Sequence, residues 1–196
     1  NAVLASTIVK ANGNANGKAG AYLSGTTRVS LSFYSMIKGN YRVRFTPVAD
    51  AKGTGGAWVE ALVGNVALYF KGNPLALNAV GQVPAGWKIV DAGEQKAAGA
   101  AGIGPRIFKF AGGDFSTGLY IRQSDASKAG YAEFGSTWGY GFSLKQGSYV
   151  FSYNAVAWSG SPYLKCEVLD ESNNVLGSQI IQCTKNVNKN TGANTY

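Results

Sequence analysis

The sequence contains no histidine, and this absence excludes catalytic sites that depend on an imidazole. Without an imidazole there is no Ser-His-Asp or Cys-His arrangement and no histidine-liganded zinc site. The chain also lacks a Cys-x-x-Cys pair, a Walker-type loop and a Gly-x-Gly-x-x-Gly turn between a strand and a helix. Residues 112–114 (Gly-Gly-Asp) are followed by no helical pattern, so we do not expect them to cradle a phosphate.

Long apolar runs are missing as well. No window approaches the roughly 18 consecutive apolar residues that a membrane helix needs, so we expect no membrane partner. The chain begins with neither a methionine nor a signal peptide, which predicts a processed or excised fragment.

Cysteine is scarce, with only Cys166 and Cys183. Both lie in apolar, strand-like segments on either side of a polar turn. In a hairpin centred on that turn, Cys166 would pair near Gln179 and Cys183 near Pro162, which is a poor arrangement for a direct disulfide. We therefore predict two small buried thiols.

Glycine and aromatic residues are abundant: 27 Gly, 11 Tyr, 9 Phe and 4 Trp. Helical periodicity is nearly absent, whereas apolar and polar residues alternate in segments such as 29–33, 41–45, 58–63 and 148–158. The alternation in 41–45 predicts Arg42 and Arg44 on the face opposite the aromatics. About ten short strands with Gly-rich turns indicate an all-β protein, and we predict a jelly-roll β-sandwich.

The net charge of +8 is spread over single basic residues between apolar ones, which favours a solvated outer face over a nucleic-acid partner.

The two ends of the chain share an internal repeat. Residues 1–21 align without a gap on residues 173–193, at an offset of 172, with nine of 21 positions identical. This predicts a parent chain of tandem modules, with 1–75 the C-terminal part of one repeat and 76–196 the N-terminal part of the next, packing as one sandwich. The seam would fall near residues 71–83. Strands at residues 2–10 and 175–182 would then compete for one position, so one of them should add at an edge, lie displaced or swap into a neighbouring chain.

Aromatic rings outside the expected core, with polar side chains among them, suit a sugar ligand. The C–H face of a sugar stacks on Trp or Tyr, and its hydroxyls bond to planar polar groups. The candidate ligand-binding residues are Trp158, Trp138, Tyr140, Tyr120, Arg122, Asn154, Tyr163 and Trp58.

Carboxylates offer the only route to catalysis without histidine, because a glycosidase needs two of them across a cleft. The strand-associated acids Glu60, Glu133 and Glu167 are more simply explained by ion pairs: we expect Glu60 to share a face with Arg42 and Arg44, and Glu167 with Lys165. A calcium ion could use loop oxygens of Asp114, Asp170 or Glu171.

The runs GGDFSTGLYIRQ, AGYAEFGSTWGYGFSLKQGSYVFSYNAVAW and YLKCEVLDESNNVLGSQ resemble jelly-roll carbohydrate-binding modules attached to secreted xylanases and related glycoside hydrolases of Bacteroidetes. A similar strand start recurs as Lys-Gln-Gly-Ser-Tyr at 145–149 and Lys-Gly-Asn-Tyr at 38–41. The resemblance implies binding of a plant polysaccharide, often xylan, with a structural calcium in some members.

We therefore expect a secreted or cell-surface, non-catalytic module that holds an attached catalytic domain near plant glycan. The alternative is a structural or adhesive spacer repeat that binds no sugar. A glycoside hydrolase or lyase comes third, and nucleic-acid binding is a distant fourth.

Overall fold

The structure is a computed structural model, and it describes residues 9–11, 14–15, 22–24, 26–48, 59–75, 79–80, 83–84, 88–90, 106–109, 112–113, 117–123, 131–135, 143–157 and 162–183. All regular structure in these residues is β-strand. The strands, numbered in chain order, are β1 (Val9–Ala11), β2 (Asn14–Ala15), β3 (Tyr22–Ser24), β4 (Thr27–Ser35), β5 (Gly39–Asn40), β6 (Arg42–Val48), β7 (Val59–Phe70), β8 (Asn73–Leu75), β9 (Ala79–Val80), β10 (Val83–Pro84), β11 (Lys88–Val90), β12 (Arg106–Lys109), β13 (Gly112–Gly113), β14 (Thr117–Gln123), β15 (Tyr131–Gly135), β16 (Ser143–Leu144), β17 (Gly147–Ala157), β18 (Tyr163–Leu169) and β19 (Val175–Cys183).

Two large sheets face each other. The first has the order β1-β19-β18-β6-β15-β11, and the second has the order β12-β14-β7-β17-β4 with β8 also paired to β7. Within these two sheets, neighbouring strands are antiparallel except for β1 and β19. The predicted all-β class and the sandwich are confirmed. Within the described ranges there is no helix of the length and apolarity required to cross a membrane.

The core lies between the sheets and follows the alternation of the strands. On β17, Tyr149, Phe151 and Tyr153 are buried, as the pattern of 148–158 predicts. Phe45 of β6 meets Tyr153 edge-on, with ring centroids 5.0 Å apart, so aromatic packing joins the two sheets. Phe45 is fully buried and Arg44 is only half-buried, as the alternation predicts, whereas Arg42 is 8% exposed and donates to the carbonyl oxygen of Asp170 at 2.9 Å.

The hairpin β18–β19 has the predicted register. Cys166 pairs with Gln179, and the amide of Cys183 donates to the carbonyl oxygen of Pro162 at 2.8 Å. Both cysteines are free and buried, as predicted. Between the strands, Asn173 adopts a left-handed conformation (φ 65°), which asparagine tolerates better than most residues.

The repeated end segments are neighbours in the first sheet. β1 pairs in parallel with β19, and it forms the end of the sheet. The register joins Val9 to Ile181 and Ala11 to Cys183, so each residue lies beside the one it matches at the offset of 172. The edge position, one of the three expected outcomes for the duplicated strand, is the one observed.

Strands from both predicted parts of the chain interleave. β6 lies between β15 and β18, and β7 lies between β14 and β17, so residues 1–75 and 76–196 share both sheets. Near the predicted seam, Lys71 and Gly72 form the tight turn from β7 to β8, with φ values of 49° and 80°. The boundary itself stays a prediction.

One predicted neighbourhood is wrong. Glu60 belongs to β7 in the second sheet, where it lies opposite Arg122 of β14. Arg42 and Arg44 belong to β6 in the first sheet. The alternation of each strand assigns residues to one face of a strand, but it does not say which strands share a sheet.

Candidate functional site

The outer face of the second sheet carries two solvent-accessible tyrosines. Tyr34 on β4 is 46% exposed, and Tyr69 on β7 is half-buried. β17 runs between them, with Ser148 paired to Tyr34 and Val150 paired to both Ser32 and Tyr69. Strand spacing places Tyr34 and Tyr69 about 10 Å apart across the sheet and about 7 Å apart along it. We call this surface, formed by Ser32, Tyr34, Tyr69, Lys71, Ser148 and Val150, the tyrosine face.

The same strands are held together from the core side by a row of three rings. Tyr149 stacks on Phe33 at a centroid distance of 5.5 Å and 16° between planes, and Phe70 meets Tyr149 at 4.8 Å. Phe33 and Phe70 directly adjoin Tyr34 and Tyr69 in the chain. The backbone beneath the tyrosine face is therefore fixed by core packing, and a ligand would not have to order it.

A shallow depression of about 340 Å³ lies on the tyrosine face. It is lined by the residues of the tyrosine face together with Phe33, Gly72 and Tyr149. Tyrosine rings offer apolar faces, serine hydroxyls donate and accept hydrogen bonds, and an ammonium group donates only. This combination suits a neutral, polyhydroxylated ligand laid along the sheet, and the positive charge tolerates acidic substituents.

A polar network closes one end of this outer face. Arg28 donates to the Ser152 hydroxyl at 2.5 Å, to the Asn154 side-chain oxygen at 3.0 Å and to the carbonyl oxygen of Asn65. Asn154 in turn donates to the Thr26 hydroxyl at 2.8 Å. These bonds bridge β4, β7 and β17, and they hold the Asn154 amide in one orientation.

The candidate residues from the sequence are not all brought together. Asn154 lies on the outer face of the second sheet, where the Arg28 network leaves it only 8% exposed. Tyr163 begins β18 in the first sheet, opposite Val48 and Gln182. Tyr120 and Arg122 lie on β14, opposite Leu62 and Glu60 of β7.

Four aromatic candidates lie outside the described residues: Trp58, Trp138, Tyr140 and Trp158. Their roles stay predictions.

Sequence reasoning missed both tyrosines of the tyrosine face. Tyr34 continues the outward positions of β4 after Ser30 and Ser32, so the alternation could have found it. Tyr69 could not be found in this way, because the pairing of β7 with β17 shifts beside Asn65, which has a φ of 50°. An extra residue at a bulge moves every later side chain to the opposite face.

The carboxylates on the first sheet are engaged by cations. Glu133 is 1% exposed and accepts from the Arg44 Nε at 2.6 Å, while the Arg44 guanidinium lies 4.3 Å from the centroid of the Tyr131 ring. Lys165 and Glu167 form an ion pair at 3.1 Å, as predicted from their shared face. The register places Glu133 and Glu167 on either side of Arg44, so a cation occupies the position between them.

The loop acids considered for calcium are used in the turn after β18. Asp170 accepts from the backbone amides of Ser172 and Asn174 at 2.9 and 2.8 Å, and Glu171 accepts from the Asn40 amide at 3.2 Å. In the part of the chain that the structure describes, no cluster of three acidic or cysteine side chains could hold a metal ion. Asp114 lies outside that part.

Comparison with protein-family models gives no match, and comparisons with curated proteins and with solved structures give none either. The class that fold and surface define is therefore a β-sandwich with an exposed aromatic face on one sheet.

Proposed function

We propose that this chain is a non-catalytic carbohydrate-binding module that binds a plant cell-wall polysaccharide, with a xylan-type β-glycan favoured, and targets an attached glycoside hydrolase. The observation that carries the proposal is the pair Tyr34 and Tyr69 on one open sheet face. Two rings about 10 Å apart across the strands and about 7 Å apart along them are too far apart to contact one small sugar, and they suit separate units of an extended chain.

Three further features support the proposal. The ring row of Phe33, Tyr149 and Phe70 preorganises the tyrosine face, so binding orders few groups. The ligand contacts on this face need no cofactor, and a structural calcium ion would act only as a stabiliser. The resemblance to jelly-roll modules of secreted enzymes adds the galactose-binding-like topology and a secreted or cell-surface location to the proposal.

The test is retention of the protein in native affinity gels that contain xylan, mixed-linkage β-glucan, mannan or galactan. We expect retention by at least one glycan. Tyr34→Ala and Tyr69→Ala should each weaken retention about 2- to 12-fold, which corresponds to the ~0.5–1.5 kcal/mol of one aromatic contact. Val175→Ala is the matched control, because Val175 is 48% exposed and lies on β19 in the other sheet.

The gel series also tests the candidates that lie outside the described residues. Trp158→Ala and Trp138→Ala abolish retention if the loops carry the ligand. In that case the tyrosine variants retain normally, and the site moves to the loops while the proposed function stands. Absence of retention by every glycan overturns the proposed function and favours the spacer alternative. The parallel pairing of the repeated strands β1 and β19 is compatible with that alternative as well.

A further inference from the structure

The pairing of β1 with β19 relates two copies of one repeated sequence. Val9 lies beside Ile181, Lys10 beside Gln182 and Ala11 beside Cys183, all in parallel. Because each residue lies beside its equivalent in a parallel pair, a simple shift across the sheet relates one strand to the other. Stacks of identical strands have the same relationship. The outer edge of β1 therefore presents the same backbone pattern that β19 offers to β1.

Among the strands that the structure describes, β1 is the last of the first sheet and has β19 as its partner there. Its Cα atoms also come within 8 Å of those of β4 and β17, so it covers one flank of the sandwich. Among the residues that the structure describes, three of β1 pair with β19. An edge strand can exchange between copies at low cost because the same contacts form in either arrangement.

We propose that the edge of β19 is an acceptor for the repeat strand of a second copy of this chain, so that β1 of one copy adds in parallel to β19 of the next. The occupant is the segment around residues 9–11 of the partner copy. Reciprocal exchange of this strand between two copies closes a dimer, whereas one-way exchange links modules in a row. This arrangement is independent of sugar binding.

The difference between the two repeat copies limits the addition to one strand. Where β19 has the neutral Gln182, β1 has Lys10. Addition of β1 to β19 sets lysine beside glutamine. A further β1 added to β1 in the same register would set Lys10 beside Lys10, and like charges directly opposite each other destabilise a strand pair. Lysine on an edge strand is also a common protection against open-ended pairing.

Disulfide trapping in mixtures of two full-length variants tests the exchange. One carries Lys10→Cys and the other Gln182→Cys, so a bond between positions 10 and 182 can form only between chains. We expect a disulfide-linked heterodimer after mild oxidation near 1 mM chain, a concentration comparable with the effective concentration of a tethered strand. The matched control replaces Gln182→Cys by Ser178→Cys, four residues out of register on the same strand.

Equal trapping of the 178 and 182 variants, or none of either, overturns the proposal. Lys10→Gln provides a second readout, because it makes the β1 edge as neutral as that of β19. We expect light scattering of this variant to grow with time, whereas Lys10→Arg behaves as the parent chain. A Lys10→Gln chain that scatters no more than Lys10→Arg overturns the limiting role of Lys10.

Discussion

The hydroxyl group of Tyr149 folds back onto Lys145: it donates to the Lys145 carbonyl oxygen and accepts from the Lys145 amide, each at 3.0 Å. Tyr41 repeats the arrangement by donating to the carbonyl oxygen of Ile37 at 2.6 Å, and Ser35 donates to the Tyr41 hydroxyl at 2.8 Å. In both cases a tyrosine closes on the residue four positions upstream.

These two closed turns are joined by a small ladder. β5 and β16 pair antiparallel, with Asn40 opposite Ser143 and Gly39 opposite Leu144. β5 leads into β6 of the first sheet, and β16 leads into β17 of the second. The recurring Lys-Gly-Tyr pattern in the sequence therefore has a structural role: each copy shapes the entry to one sheet.

The first prediction concerns these tyrosine hydroxyls. Tyr149→Phe and Tyr41→Phe should each lower the free energy of unfolding by about 0.5–1.5 kcal/mol, because each removes the intramolecular hydrogen bonds of a buried tyrosine side chain. Urea unfolding at pH 7 measures the loss. Tyr34→Phe is the control, since its hydroxyl is on the exposed face and should be neutral. Equal stability of all three variants would contradict the role of the closed turns.

The second prediction concerns Gly147, the glycine of the Lys-Gln-Gly-Ser-Tyr segment at residues 145–149. Its φ of 149° is rarely adopted by other residues, and a Cβ there would lie 2.6 Å from the Phe70 ring. Gly147→Ala should destabilise the protein by about 2–4 kcal/mol, from backbone strain and overpacking together. Because Phe70 adjoins Tyr69, glycan retention should fall as well.

Gly72→Ala is the matched control for this effect. Gly72 also has a positive φ, of 80°, but no atom lies within 4 Å of the added Cβ. Only the backbone strain remains, so a loss of about 1–2 kcal/mol is expected. A Gly147→Ala variant as stable as Gly72→Ala would show that the Phe70 ring moves aside freely.

Particular residues show how far the sequence can be interpreted. The alternation predicts the buried faces of β6 and β17, and the polar turn at 170–174 predicts the partners of both cysteines. These are local patterns of period two. The assignment of Glu60 fails because the choice of sheet depends on long-range pairing, and Tyr69 is missed because the bulge beside Asn65 is not visible in the pattern.

The internal repeat also shows that a sequence pattern does not specify long-range strand pairing. Its alignment establishes that residues 9–11 and 181–183 are equivalent, but equivalence does not specify contact. Their parallel pairing depends on the edge of β19 that lies opposite β18, and the long-range arrangement of the first sheet sets which edge that is. The sequence therefore predicts competition for one position, and the tertiary structure resolves it.

The third prediction separates the carboxylates of the first sheet. Glu133→Ala should cost about 2–4 kcal/mol of stability, because it removes one partner of a largely buried ion pair. Glu167→Ala should cost about 0–1 kcal/mol, since the Lys165–Glu167 pair is more accessible to water. Thermal or urea unfolding measures both losses.

Glutamine variants of the same two carboxylates test whether the chain is catalytic. If the chain is a glycoside hydrolase, the parent chain releases reducing sugar from the glycan, and Glu133→Gln or Glu167→Gln should abolish that release. We expect no such release from the parent and unchanged glycan retention by Glu167→Gln. Turnover by the parent that disappears in either variant would contradict the non-catalytic proposal.

The last prediction concerns pH. Burial raises the pKa of Cys183 from 9.0 to about 12, and it raises the pKa of Cys166 further. In the unfolded chain these thiols lose their protons near pH 8.5–9, whereas in the folded chain they keep them. The unfolded state then binds fewer protons than the folded state, so stability is full below about pH 8.5 and declines as pH rises toward 12.

Cys183→Ala isolates this effect from the lysines and tyrosines that titrate in the same range. Alanine already stands at the equivalent position of the repeat, Ala11, so the substitution should be tolerated. Each thiol contributes a decline of about 1.4 kcal/mol per pH unit above its unfolded pKa. Urea unfolding in reducing buffer between pH 7 and 11 should therefore show a shallower decline for Cys183→Ala, and parallel curves for the two proteins would contradict the burial of this thiol.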